Sequence, residues 1–170
     1  MKKFLLAAVS LILLAGCATS EEANSGFSPS DINFAEMMIP HHKQAIEMSD
    51  IAFKNTTNPE VLQLAQEIKD AQAPEIDLMK SWPGVKESTH AGHMMDGMLS
   101  DDELDALREA SGTEFDRLFL QGMIKHHQGA IEMAMDVKDS ESKVVADLSA
   151  AIIKQQEIEI AAMNELLLKG

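Results

Sequence analysis

Two adjacent histidines occur twice in this chain, each time among methionines and small apolar residues. The first run reads MMIPHHKQAIEM, from Met37 to Met48, and the second reads MIKHHQGAIEM, from Met123 to Met133. Imidazole is a borderline metal ligand and thioether a soft one, so together they favour copper or silver over Mg²⁺ or Ca²⁺. Met38 stands three and four residues before His41 and His42, a spacing at which side chains meet on a helix. Met48 closes the run, and Met123, His126, His127 and Met133 repeat the arrangement. Between the two runs, the stretch KESTHAGHMMDGM adds His90, His93, Met94, Met95 and Met98. It has no amphipathic period, so burial in a core does not account for its methionines. The plain alternative is that methionine fills irregular core space and the histidines are satisfied core residues. Two matched pairs and a His/Met loop favour the metal reading over that alternative.

The elements that would position these groups are helices. Aligning Asp31–Met48 with Asp116–Met133 gives identity at ten of the eighteen positions. The segments that follow match as well, Gln72, Glu75, Ile76 and Met79 against Gln156, Glu159, Ile160 and Met163. The chain therefore reads as two repeated helical hairpins, and the pattern predicts an all-α four-helix bundle. At about 100° per residue, one stripe of the first helix carries Asp31, Phe34, Met38, His41, His42, Ala45 and Met48. The second repeat carries Asp116, Phe119, Met123, His126, His127, Ala130 and Met133 in the same way. The apolar face and the histidine face coincide, so the histidines point into the bundle. Glu75 and Glu159 are expected to hydrogen-bond them from the partner helices, with Asp31 and Asp116 as further supporting carboxylates. His41 and His42 diverge by about 100° on one helix. A complete site is therefore expected to need Met38 or Met48 and groups from another helix or the loop, with partly independent sites in the two repeats. The linker from Ser81 to Gly112 is long enough to leave open whether the pairs meet.

Helix signals place the boundaries. Ser30 or Asp31 caps a first helix running to about Lys54, and Asn58 with Pro59 opens a second that ends near Lys80 before Trp82-Pro83-Gly84. Ser100 and Glu103 form a capping box for a short helix to about Ala110. Thr113 opens a helix to about Lys138, and a last one spans roughly Glu141 to Leu168. Pro40 removes one backbone hydrogen bond if the first helix continues through it. In residue ranges, repeat one is 31–80, the His/Met loop 86–99, repeat two 114–168, and the whole domain 30–170.

The beginning of the chain reads as an export signal. Met1-Lys2-Lys3 is basic, Phe4–Ala15 is an apolar run too short to span a bilayer comfortably, and Leu14-Ala15-Gly16-Cys17 resembles a bacterial lipobox. Cleavage after residue 16 would leave Cys17, the one cysteine, as the lipidation site, with residues 17–29 as a polar tether. The expected location is the cell envelope, lipid-anchored and facing the periplasm or exterior. The mature fold would then hold neither a disulfide nor a thiolate site. With a formal net charge of −14 the chain does not suit nucleic acid and concentrates cations near its surface. Acidity alone also serves the solubility of an exported protein.

The doubled pattern D-x-x-F-x-x-x-M-I-x-H-H-x-x-A-I-E-M, each copy followed by Q-x-x-E-I-x-x-M, resembles the bacterial domain-of-unknown-function 305 family. The resemblance spans about Asp31 to Leu168 and implies a ferritin-like four-helix bundle. Its CopM-like members imply copper handling at the cell envelope, with Cu(I) favoured and Cu(II) or silver as further ions. Residue by residue, it implies Met38, His41, His42, Met48, Met123, His126, His127 and Met133 as ligands. Two other classes are weighed against this reading. A ferritin-like metal-dependent oxidase would need Glu-x-x-His ligands on facing helices, but the one such motif, Glu87 to His90, lies in the loop. A helical interaction module would keep its histidines without metal. No catalytic constellation is seen in the sequence, so an enzyme is not expected, and no oligomeric state follows from it.

Overall fold

The computed structural model describes residues 26–87 and 94–169, and within them every regular element is a helix. The signal peptide, Cys17, most of the tether, His90 and His93 lie outside the described residues. The helices are α1 (Pro29–Asn55), α2 (Pro59–Lys80), α3 (Asp101–Glu109), α4 (Gly112–Met135) and α5 (Lys143–Lys169). Helix α1 packs along α2 and α4 along α5, and the two hairpins join chiefly through α1 against α4. The short α3 closes the end of that joint, touching both.

Local chemistry explains the ends. The cap of α1 is Ser28, earlier than the expected Ser30 or Asp31. The Ser28 hydroxyl accepts from the Asp31 backbone N–H at 3.2 Å and the Asp31 carboxylate accepts from the Ser28 N–H at 2.7 Å. Pro29 fills the first helical position, where a missing N–H costs nothing. Asn58 caps α2 and a Ser100–Glu103 capping box opens α3, both as the sequence indicates. Helix α4 stops at Met135 rather than Lys138, because Val137 and Ser140 turn to bonds with the carbonyls three residues back. Helix α1 is continuous through Pro40, and α2 likewise runs through Pro74.

The core divides into two apolar layers. One gathers Met48, Ile51 and Ala52 of α1 with Phe115, Phe119, Leu120 and Met123 of α4 and Met163 of α5. The other gathers Phe34, Met38 and Ile39 of α1 with Met79 of α2, Ala130 and Ala134 of α4 and Ile152 of α5. Each layer takes the early half of one helix and the late half of the other, so α1 and α4 run antiparallel. The histidines sit where the layers meet, halfway along both helices.

Candidate metal centre

All four histidines of the two pairs are fully buried. The His41 and His126 rings touch, with centroids 3.8 Å apart and planes tilted by 41°. The two pairs therefore meet, one from each hairpin, at the α1–α4 contact. The outer members are held from behind: His42 Nε2 lies 2.8 Å from Glu75 Oε2 and His127 Nε2 lies 2.6 Å from Glu159 Oε2. Glu159 is nearly enclosed and also accepts from the Gln155 amide, whereas the Glu75 side chain keeps 19 % of its surface exposed.

His41 is held differently. Its Nε2 donates to the backbone carbonyl of Asp96 at 3.2 Å. A carbonyl can only accept, so this ring nitrogen carries the proton and Nδ1 carries the free lone pair. Burial first, and the neighbouring His42 next, drive the His41 pKa down to about 3. Burial also holds His126 well below the usual imidazole range, with His41 as the next cause. The His41 carbonyl faces the His126 ring, but neither His126 ring nitrogen completes a hydrogen bond. At neutral pH both inner rings are uncharged.

The unpartnered atoms show what the layer offers. His41 Nδ1, His42 Nδ1, His127 Nδ1 and both nitrogens of His126 are buried without a hydrogen-bond partner. Buried polar atoms are normally paired, so this concentration at one level of the bundle fits a ligand that takes up lone pairs. It does not resemble a preformed cage, since among the described residues no three His, Cys, Asp or Glu side chains converge to hold a metal ion. The arrangement suits an ion content with very few nitrogen donors.

The methionines separate by position. Met38 lies four residues before His42, and Met79 four residues after Glu75 on the antiparallel partner helix. The His42–Glu75 contact therefore sets the two thioethers level, and both are fully buried in the same layer. Met123 and Met163 stand in the same relation to His127 and Glu159 in the other layer. Met79 and Met163 are the residues the sequence reading left out, although they close both copies of Q-x-x-E-I-x-x-M. Met48 is buried on the far side of the layer from Met38, and Met133 is only partly buried at the edge of Met38's layer. In the loop, Met95 is buried, Met98 half-buried and Met94 60 % exposed.

Asp31 and Asp116 are not brought to the histidines. The Asp31 carboxylate, besides capping α1, accepts from the Ser140 hydroxyl at 2.8 Å, and Asp116 accepts from the Asn58 amide at 2.9 Å. Each aspartate begins the first helix of one hairpin and ties down the turn of the other. Asp31→Ala is expected to cost about 1–2 kcal/mol in urea unfolding, from the lost cap and the Ser140 bond. The histidine resonances of the folded protein should stay in place; a shift there would give Asp31 a role in the centre instead.

Residues 31–167 match the family described as Domain of unknown function (DUF305), and residues 1–18 match the prokaryotic membrane lipoprotein lipid attachment site. Among curated proteins none matches the chain. Solved structures do. A DUF305 protein from Streptomyces coelicolor is 32% identical, with a TM-score of 0.76, covering 82% of this chain and 93% of its own. CopM in its Cu(I)-bound form is 36% identical, with a TM-score of 0.69, over 82% of this chain and 96% of its own. The Cu(II)-bound form of CopM gives 36% and 0.71 over the same shares, and CopM has also been solved with Ag bound.

Proposed function

The chain belongs to the DUF305 family, and we propose that it is a lipid-anchored cell-envelope protein that sequesters copper, as Cu(I), in its buried histidine layer. Silver, as Ag(I), would follow by the same chemistry. The observation that carries this is the state of the rings. All four are buried, the outer nitrogens of His41, His42 and His127 are committed to Asp96, Glu75 and Glu159, and every Nδ1 is left with no partner. Nδ1 is the ring nitrogen nearer the backbone. The Nδ1 atoms thus carry the lone pairs the layer offers, each to be joined at an ion by a donor from a neighbouring side chain. A d¹⁰ monovalent ion accepts two donors; Zn²⁺ wants four and Mg²⁺ six. Transfer into a dry layer also costs a divalent ion much more than a monovalent one, because the penalty grows with the square of the charge. Met38 with Met79, and Met123 with Met163, supply soft sulfur next to each pair.

Support comes from outside the layer too. The CopM structures hold Cu(I), Cu(II) and Ag in a chain 35–36% identical to this one. The ion is cargo on this reading, and the protein binds rather than transforms it. Cys17 would carry the acyl anchor, and the acidic surface would gather cations around the domain.

The test is an anaerobic titration of the acylated protein, in detergent, against a chromogenic Cu(I) chelator. Tight Cu(I) uptake is expected, displaced by Ag(I) and not by Zn(II), with an absorption spectrum of low-coordinate nitrogen ligation. The intact mass of the same preparation should show acylated Cys17. Preferential Zn(II) or Fe(II) uptake would overturn the copper assignment, and no uptake of any metal would leave a helical interaction module.

A further inference from the structure

The segment from Met94 to Leu99 has no regular structure, yet it is fastened to the bundle at several points. Gln44 of α1 uses its whole side-chain amide on one residue of it. Its Oε1 accepts from the Leu99 N–H at 2.7 Å and its Nε2 donates to the Leu99 carbonyl at 2.9 Å. This is the pairing a neighbouring strand would provide, supplied here by a nearly buried side chain. The segment then crosses α4 at its glycines. Gly97 has φ +83° and lies so close to α4 that a Cβ there would stand 2.7 Å from the Lys125 carbonyl. A Cβ on Gly129 would stand 2.0 Å from the Asp96 carbonyl oxygen. Real Cβ atoms do not come that near, so both positions need glycine for this crossing. Asp96, held by these fixed points, offers its carbonyl to His41.

We propose that this strap is a positioning element of the first histidine pair, and that it makes the two pairs unequal as metal sites. The inference rests on the copper reading only for its consequence. Its structural content is that Gln44, Gly97 and Gly129 together aim one carbonyl at His41 Nε2. In the first pair both rings then have their outer nitrogen committed, His41 to Asp96 and His42 to Glu75, so both present Nδ1. In the second pair only His127 is fixed in this way, by Glu159, while neither nitrogen of His126 completes a hydrogen bond. His126 must choose its tautomer when an ion arrives. The first pair is therefore the better prepared of the two and fills first. Fixing the tautomer and ring orientation of a ligand in this way is worth about 10–100-fold in metal affinity where it has been removed elsewhere.

The experiment uses Gly129→Ala, which displaces Asp96, and Gln44→Leu, which releases Leu99 without touching α4. Each is placed in two backgrounds: His126→Gln with His127→Gln, which keeps the first pair, and His41→Gln with His42→Gln, which keeps the second. Imidazole ¹⁵N spectra of the metal-free wild-type protein should show His41 held with its proton on Nε2, and both strap variants should lose that signature. Cu(I) competition should show at least a tenfold loss of affinity in the first background and little change in the second. Equal losses in both backgrounds would make the strap a general packing feature and overturn the proposal, as would an unchanged His41 tautomer in both variants. If no background binds Cu(I), the copper reading fails while the metal-free spectra still decide whether the strap positions His41.

Discussion

Replacing the second pair by His126→Gln with His127→Gln is expected to remove roughly half of the Cu(I) capacity and leave the first pair binding. Glutamine is chosen because its amide still donates to Glu159, so a buried carboxylate is not stranded. Alanine at His127 would leave Glu159, 3 % exposed, without its 2.6 Å partner, at a cost of about 3–5 kcal/mol where a buried charge is involved. What glutamine lacks is the imidazole lone pair. The expectation of a half rather than a total loss comes from the contacts. Each pair has its own supporting carboxylate and its own two buried thioethers, and the pairs meet through His41 and His126. The reciprocal His41→Gln with His42→Gln should remove the other, tighter half. Competition titration with matched circular dichroism spectra decides it. Total loss from either variant, with the helices intact, would mean one centre shared across the ring contact. Unchanged capacity in both would make the histidines core residues and end the metal reading.

How much of this was legible beforehand depends on whether one helix was enough to see it. The inward histidine face is a property of a single helical stripe, and counting residues from Met38 to Ala45 was sufficient. Glu75 and Glu159 were also readable, because each sits on the inner face of the helix following its pair. That the pairs meet was not, since a linker of the length of Ser81–Gly112 permits either hairpin arrangement. The stripe also carried Asp31 and Asp116 inward, but both stand at helix beginnings, where a carboxylate reaches turns rather than the middle of the core. Met48 shares the stripe with Met38, yet ten residues of helix put it in the other layer. The strap was beyond reach for a further reason. Residues 94–99 carry no period, and what fixes them is a glycine on α4 that looks, in sequence, like an ordinary weak point in a helix.

The metal-free protein is expected to lose stability steeply on acidification from about pH 6.5 toward pH 3. In the unfolded chain these histidines take up a proton near the ordinary imidazole value of 6.5, whereas folded His41 resists until about 3 and His126 is likewise well below the usual range. Between those limits the unfolded state binds more protons than the folded one. The derivative of the unfolding free energy with pH is then positive, at up to about 1.4 kcal/mol per pH unit for each such group. The two inner rings together double that slope wherever both are neutral in the fold. Stability contributed this way is fully present above 6.5 and is lost as pH falls. The surroundings act in the same direction at first: desolvation dominates, and His42 and His127 oppose further positive charge at His41. Glu75 and Glu159 face the outer rings, and the one group touching the inner pair that favours protonation of His41 is the Asp96 carbonyl. Exposed carboxylates such as Glu114, lowered by Arg117, also lose their pairing in acid, but solvent screening keeps that contribution small. Urea midpoints in chelator at pH 7.5, 6.5, 5.5 and 4.5 measure the slope, and His41→Gln with His126→Gln should flatten it. A profile already flat in the wild-type protein over that range would mean the inner rings are solvated or charged in the fold, and the neutral inner rings on which the proposed Cu(I) binding rests would not exist.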